Sequence, residues 1–529
     1  MPSKPRLSTA ILAAGLALLM WGGRALAQDT NGWVARYELI ELTGADGKKD
    51  GQSRAYAINE TAQVVGWVDS GGVRHSAHWQ SDRTTDLHGT VHFALKHPYV
   101  LYNQDYSEAY GISNAGQVVG TARALIRCPD ASFVIDNAFL LRPAVLSDLG
   151  TPIPGDALTN LMTFSNPCGF GYDSAATGIS NTNYVVGWAD TDGGVIRAFL
   201  VHPVNNAFVQ VVNGGNTLLI DLGTIGGSDP VSSATAVNDK GQVTGYSYTI
   251  TADGKSAYRA FLLTPQDTNA DGLPDTWFVP GAAGQNMLMT SIGTLGGTNS
   301  WGRDINASGA IVGESDMIAP NGGYFTHAFL HANGTMIDLG TLRTDPTQGY
   351  SAASAINDAG VVVGWAENDK RERRAFLYKD GRMQDLNSLL YLKDADGNDV
   401  IPSITLTEAR DINAAGVIVG WGEVRGSKGA GQTKGFMLNP ILVNPDMLDG
   451  DSSGGSSGGT GGSSGGYTGT PIFGLPQHLQ NPQPSTVNGS TAQPDVTTNP
   501  LLSLCGFGAI IGLALALAGL VGLKRRGWR

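Results

Sequence analysis

The sequence predicts an all-β fold: a seven-bladed β-propeller of four-stranded blades, closed by an N-terminal strand, with a flexible tether and a C-terminal transmembrane helix. Three observations carry this prediction. A three-part pattern recurs seven times at a period of roughly 50–70 residues, the mark of an array of supersecondary units. Each copy divides into four short segments rich in β-branched residues and separated by turn residues. The last copy lacks its fourth segment, and a matching segment stands before the first copy.

The first part of the pattern is a hydrophobic residue, Asn or Ser, two spacers, a turn residue, then a Val-rich run ending in Gly. It stands at Ile58–Gly66, Ile112–Gly120, Ile179–Gly187, Val237–Gly245, Ile305–Gly313, Ile356–Gly364 and Ile412–Gly420. The second part is a small–aromatic–hydrophobic triplet, Ala138-Phe139-Leu140 being the first clear example. Ala77-His78-Trp79 and Gly435-Phe436-Met437 are looser versions at the two ends. The third part is Asp-Leu-Gly: Asp148-Leu149-Gly150, Asp221-Leu222-Gly223 and Asp338-Leu339-Gly340.

The sixth copy shows how the residues dictate the elements. Ser354 to Asn357 is a short apolar strand, and Asn357-Asp358-Ala359-Gly360 is a tight turn, with Asn at the first position and Gly supplying positive φ. Val361 to Ala366 is a β-branched strand, Arg374 to Tyr378 a third, and Met383 to Leu386, after the Asp380-Gly381 turn, a fourth. No stretch before the C-terminus keeps a helical period. In the seventh copy Lys434–Leu438 is a third strand with nothing after it, and Tyr37–Leu42 is the candidate to complete that blade. Such a closure pairs two edges that would otherwise template association. An open β-solenoid or two packed sheets is the alternative.

The units resemble the HAF repeats of bacterial extracellular proteins, a name spelled here by His327-Ala328-Phe329. Asp338 to Leu342 and Gly223 to Gly227 fit the same repeat, and the resemblance runs from about Tyr37 to Pro440. It implies an exported β-propeller and carries over no catalytic residue. Most copies place Arg, Asn or Lys where the name has His, which argues against a shared metal ligand.

Four regions follow: residues 1–27 a signal peptide, 33–440 the propeller, 441–500 a Gly/Ser- and Pro-containing linker, and 501–529 a transmembrane or sorting segment with a basic tail. Lys4 and Arg6 precede an apolar run that ends in Ala25-Leu26-Ala27. The run from Leu501 to Leu523 is long enough to span a bilayer, and Lys524, Arg525 and Arg526 place its end on the cytoplasmic side. A motif, a span and a basic tail resemble bacterial C-terminal sorting signals. The motif here is Cys505 and Gly506, and the resemblance implies a membrane protease or transpeptidase as partner. A plain membrane anchor is the alternative. The formal net charge of −12 excludes nucleic acid as a partner class, since phosphate contacts need clustered Lys and Arg. Of three cysteines, Cys505 belongs to the terminal motif, so Cys128 and Cys168 form the candidate disulfide, both falling in connections on one face of the blades.

One segment has the spacing of a cation loop. Asp267, Asn269, Asp271 and Asp275 stand at positions 1, 3, 5 and 9 with Gly272 at position 6, which suits Ca²⁺. It resembles EF-hand and thrombospondin type 3 loops but has Phe278 where a bidentate Glu belongs. The other reading is a polar connector. His75 and His78 lie three apart on a strand and so face opposite ways. Inner strands such as Ser351-Ala352-Ala353-Ser354 read as small and uncharged. The expected function is therefore a surface-anchored binding or structural module for an extracellular protein, glycan or matrix partner. An extracellular hydrolase or lyase with its site at the propeller axis is the alternative, and convergent ionisable residues at the axis would favour it.

Overall fold

The structure, a computed structural model, describes residues 34–443 apart from 45–50, 82, 89–99, 128–131, 143–157, 161–172, 192–193, 203–218, 227–230, 252–253, 319–321, 395–397 and 427–430. The chain divides into two compact units, 1–475 and 476–529, and the second lies outside the described residues. So do the predicted signal peptide, linker and C-terminal segment. No helix among the described residues is long and apolar enough to cross a membrane.

Seven four-stranded antiparallel sheets follow one another along the chain. Their first strands are Ser53–Ile58, Val100–Ile112, Ser174–Ile179, Ser232–Val237, Gly296–Ile305, Ser351–Ile356 and Ile404–Ile412. One cavity is lined by residues from all seven of these strands, so they stand innermost around a common axis. In blades one to six the remaining strands follow outward in sequence order. Blade seven is ordered differently: its outermost strand is Val34–Glu41, paired with Thr433–Val443 from Val34↔Val443 to Glu41↔Phe436. The ring is thus closed by the N-terminal strand. Tyr37 of that strand is buried, and its carbonyl also accepts a bond from Tyr391 N–H of blade six.

The repeat residues have separate mechanical jobs. The Gly that ends each Val-rich run faces a carbonyl of the inner strand: a Cβ at Gly66, Gly187 or Gly313 would stand 2.0 Å from the oxygen of Arg54, Ala175 or Trp301. It also leaves room for the triplet aromatic, which pairs with it across the next strand, as in Gly187↔Phe199 and Gly364↔Phe376. Phe139, Phe199, Phe261, Phe329, Phe376 and Phe436 are fully buried and form the inter-blade core with the Val runs.

The Ser that opens an inner strand joins that blade to the one before it. Ser351 Oγ accepts from Ala328 N–H at 2.9 Å and donates to the Gly340 carbonyl at 2.6 Å. Ser232 does the same with Ala198 and Gly223, at 3.0 and 2.6 Å. The turn Asn caps its own hairpin and reaches the next blade: Asn306 Nδ2 donates to Asn357 O, Asn357 to Asn413 O, and Asn413 to Asn59 O at 3.1 Å. That last bond crosses from blade seven to blade one and is a second closure of the ring.

In blades one, three, five, six and seven the leading residue of the HAF triplet has an acidic partner on the fourth strand. His327 Nδ1 lies 2.9 Å from Asp338 Oδ1, and Lys434 Nζ lies 2.7 Å from Glu41 Oε2. In blade seven the N-terminal strand therefore supplies the acid that Asp-Leu-Gly supplies elsewhere.

Two sequence assignments shift. In blade one the residue opposite Gly66 is Ala77, so the triplet is Ser76-Ala77-His78 and not Ala77-His78-Trp79. His75 is then the leading histidine and pairs with Asp86 at 2.8 Å. The aromatic signal misled because Ala77 takes the place of Phe, and Trp79, two positions later, supplies the bulk to the same cluster. In blade two the fourth strand is Leu158–Asn160, with Asn160 opposite Phe139. Asp148-Leu149-Gly150 lies outside the described residues.

Candidate ligand-binding site at the propeller axis

Every inner strand carries a β-bulge at the same place. The register skips one residue in each: Tyr56, Tyr110, Thr177, Thr235, Arg303, Ser354 and Arg410. A bulge kinks its strand and re-aims a side chain. All seven bulged residues line an axial cavity of about 680 Å³. Five of them bring hydroxyls and two bring guanidiniums. The residues one step further along are small in five blades, but in blades five and seven they are Asp304 and Asp411.

Asp304 and Asp411 each bind two backbone amides. Asp304 accepts from Ile305 N–H at 2.8 Å and from Ile356 N–H of blade six at 2.9 Å. Asp411 accepts from Ile412 and from Ile58 of blade one, both at 2.8 Å. Burial pushes Asp304 up to about 6, against its amide bonds. Burial, followed by the Asp304 charge, pushes Asp411 up to about 7.

Toward the end where strand two turns into strand three, the site is a ladder of indoles and guanidiniums. Arg373 lies 4.1 Å from the Trp365 ring and 5.6 Å from Trp421. Arg54 lies 4.0 Å from Trp421 and 5.8 Å from Trp67, and Arg74 lies 4.8 Å from Trp67. Carboxylates brace it: Glu108 with Arg74 at 2.7 Å, Glu314 with Arg303, and Glu408 with both Arg373 and, at 2.9 Å, Arg410. Burial raises Tyr56 and Tyr110 above the ordinary phenol value, with Glu108 adding to both. Tyr106 rises to about 12, first by burial and then by Glu108. These phenols stay protonated and serve as hydrogen-bonding groups, not bases.

The expectation of small, uncharged inner strands is therefore corrected. Ionisable residues do converge at the axis. They come from the second position of the Ser-x-Ala segment (Arg54, Glu108, Glu408), from the bulge, and from the residue after the repeat Gly in blade five (Glu314), where blades one, six and seven place the indoles Trp67, Trp365 and Trp421. The readable signal was disagreement among copies: these are positions where the seven units differ while their neighbours match.

The other predicted residues fare as follows. Asp267, Asn269, Asp271 and Asp275 lie in an exposed loop between the third and fourth strands of blade four. Asp267 accepts from Asp271 and Gly272 N–H at 3.2 and 2.8 Å, and Asp275 binds the Thr268 hydroxyl and amide. The Thr268 hydroxyl, then its amide, hold Asp275 below the usual carboxylate value. Among the described residues no group of three or more His, Cys, Asp or Glu is disposed to hold a metal ion. Cys128, Cys168, Cys505 and Gly506 lie outside the described residues. His75 stacks on His88 with centroids 3.8 Å apart, and His78 is buried on the other face, which pulls it down to about 4.

Residues 230–443, from the threshold of blade four to the end of blade seven, match a family described as a protein of unknown function, DUF3466. No curated protein matches the chain. Among solved structures, the β-propeller domain of the Trilobed protease from Pyrococcus furiosus, described as having an open velcro topology, is 7% identical with a TM-score of 0.38. That alignment covers 76% of this chain and 99% of that one. The Aleuria aurantia lectin, in complex with Fucα1-6GlcNAc, is 13% identical with a TM-score of 0.24, covering 63% and 94%. The α-L-arabinofuranosidase from Podospora anserina, in complex with cellotriose, is 10% identical with a TM-score of 0.22, covering 67% and 95%. Likenesses this loose transfer neither ligand nor activity.

Proposed function

We propose that this protein is an exported, surface-anchored propeller that acts as a binding module for an extracellular glycan, protein or matrix component, with its ligand at the axial mouth. The observation that carries the reading is the axial cavity of about 680 Å³, in which hydroxyls, guanidiniums, carboxylates and indoles from different blades converge. Most of the acids there are held by arginines or backbone amides, and the phenols are raised, which suits recognition better than proton transfer. Binding of the full chain to a panel of envelope glycans and matrix proteins tests this. Trp365→Ala should abolish the axial interaction, and Ile337→Ala, at an exposed site on the outermost strand of blade five, should not. Equal binding by wild type and Trp365→Ala would overturn it.

One observation favours the hydrolase alternative: Asp304 and Asp411, raised to about 6 and 7, could serve as a general acid. Chain cleavage of a polysaccharide that is lost in Asp411→Asn would establish it. The anchoring part of the proposal assigns the membrane contact to residues 501–529 and processing at Cys505-Gly506 to a sorting protease or transpeptidase. Mass spectrometry of the mature termini tests both ends. Ca²⁺ is the proposed occupant of the Asp267–Asp275 loop, whose oxygens keep lone pairs beyond their amide bonds. Millimolar calcium should raise the melting temperature of the wild type and leave Asp271→Ala unmoved.

A further inference from the structure

We infer that the wall of the axial mouth built by blades five, six and seven is an anion subsite that takes a carboxylate- or sulfate-bearing saccharide. This deepens the reading of the axial cavity as a ligand site and rests on it.

Positive charge and unused donors are both in excess on this wall. Arg303, Arg373 and Arg410 gather on this wall, with Arg54 of the adjoining blade one over Trp421 at its edge, and the carboxylates that pair with the three are Glu314 and Glu408. Arg373 and Arg410 lean on the same Glu408, and Arg54 makes no ion pair among the described residues, its Nε reaching only Thr433 Oγ1 at 3.4 Å. On the wall of blades one and two, Arg74 and Arg123 each have a carboxylate of their own, Glu108 at 2.7 Å and Asp136 at 2.8 Å. Asp304 and Asp411 sit nearby, but their oxygens are taken up by backbone amides of two blades each.

Donors are left over as well as charge. Arg373 Nε is buried without a hydrogen-bond partner among the described residues. The Arg373 and Arg410 side chains remain 40% and 41% exposed to the cavity, while Glu408 between them is 7% exposed. Burial lowers Arg373 below its ordinary value, Glu408 opposing this and Arg410 and Arg54 adding to it. An anion between Arg373 and Arg410 would relieve that crowding. A planar guanidinium fork matches a carboxylate or sulfate edge to edge. The Trp365 and Trp421 rings hold the Arg373 plane in place.

The rest of the ligand is indicated by the ring below. Tyr56, Tyr110, Thr177, Thr235 and Ser354 present hydroxyl oxygens around the cavity, partners suited to sugar hydroxyls. The cavity is of the size that encloses a small ligand, and the chain's net charge of −12 disfavours a long polyanion such as nucleic acid.

Calorimetry on the full chain decides the matter with three probes of equal length: oligogalacturonate, a sulfated dextran oligosaccharide and neutral cello-oligosaccharide. At least one acidic probe should bind ten-fold or more tightly than the neutral one, and raised salt should weaken it. Oligogalacturonate binding assigns the carboxylate, and sulfated dextran binding assigns the sulfate. Arg410→Gln should weaken the acidic probe at least ten-fold and by clearly more than it weakens the neutral one, and Arg410→Lys should recover part of the loss. Neutral and acidic probes binding alike, or Arg410→Gln binding the acidic probe like wild type, overturns the inference. If the neutral probe alone binds and Trp365→Ala removes it, the axial site stands and the anion subsite falls. If no saccharide binds, the anion subsite and the glycan reading of the axial site both fall.

Discussion

Ala62 occupies the left-handed position of the first hairpin in blade one, with φ at 58°. The same position holds Gly116, Asn183, Gly241, Gly309, Gly360 and Gly416 in the other blades, all at positive φ. An L-residue with a Cβ costs about 1–2 kcal/mol there, whereas Gly adopts it freely. Ala62 also packs partly buried against the blade-one cluster, which offsets a fraction of the strain. Ala62→Gly should therefore stabilise the protein by up to about 1 kcal/mol in urea unfolding. No gain would mean that local geometry has already relieved the Cβ. His78 is a second odd residue, standing where other blades have Leu140, Leu200, Leu262, Leu330 or Leu377. Its proton affinity in the fold is depressed to about 4 by burial, then by Arg83. The sign follows from linkage: above pH 6.5 both folded and unfolded forms are neutral, and as pH falls toward 4 the unfolded chain takes up the proton first. Stability should drop through that window by on the order of 3 kcal/mol. In His78→Leu the drop should shrink measurably, and an unchanged pH profile would remove His78 from the account.

At the scale of elements, the bonds between blades matter more than those within them. Ser351 is 1% exposed, accepts one amide and donates to one carbonyl, both in blade five. Ser351→Ala leaves both groups buried and unpaired, and should cost about 1–3 kcal/mol in chemical unfolding. A loss under about half of that would mean that water replaces the hydroxyl. The sequence displayed this element plainly, since hairpin turns, Val runs and buried Phe residues all follow from local chemistry and period. What it hid were relations across blades. Nothing in Ser351 or Asn357 alone tells which neighbouring blade will share their bonds. The triplet of blade one slipped by one residue because an aromatic was sought where Ala77 stands. A bulge has no signature in a strand of Ser, Ala and Thr, yet it aims seven side chains at the axis. The candidate site was therefore largely illegible: Arg54, Glu408 and Arg410 come together only when the ring is closed.

At the scale of the whole molecule, closure is the central claim, because the axial cavity exists only within a complete ring. Val34–Glu41 completes blade seven with eight register pairs and carries Glu41 to Lys434. Tyr37 brings a buried ring against Leu386 and Leu438, tying blades six and seven together. Asn413 adds the inner tie to blade one. The most direct measurement is the thermal unfolding of a chain lacking residues 34–42 beside the parent. The account predicts a sharply lower melting temperature and loss of axial ligand binding, since two strand edges and an apolar cluster are exposed at once. A truncated chain that melts with the parent would contradict the closed ring and the site built upon it.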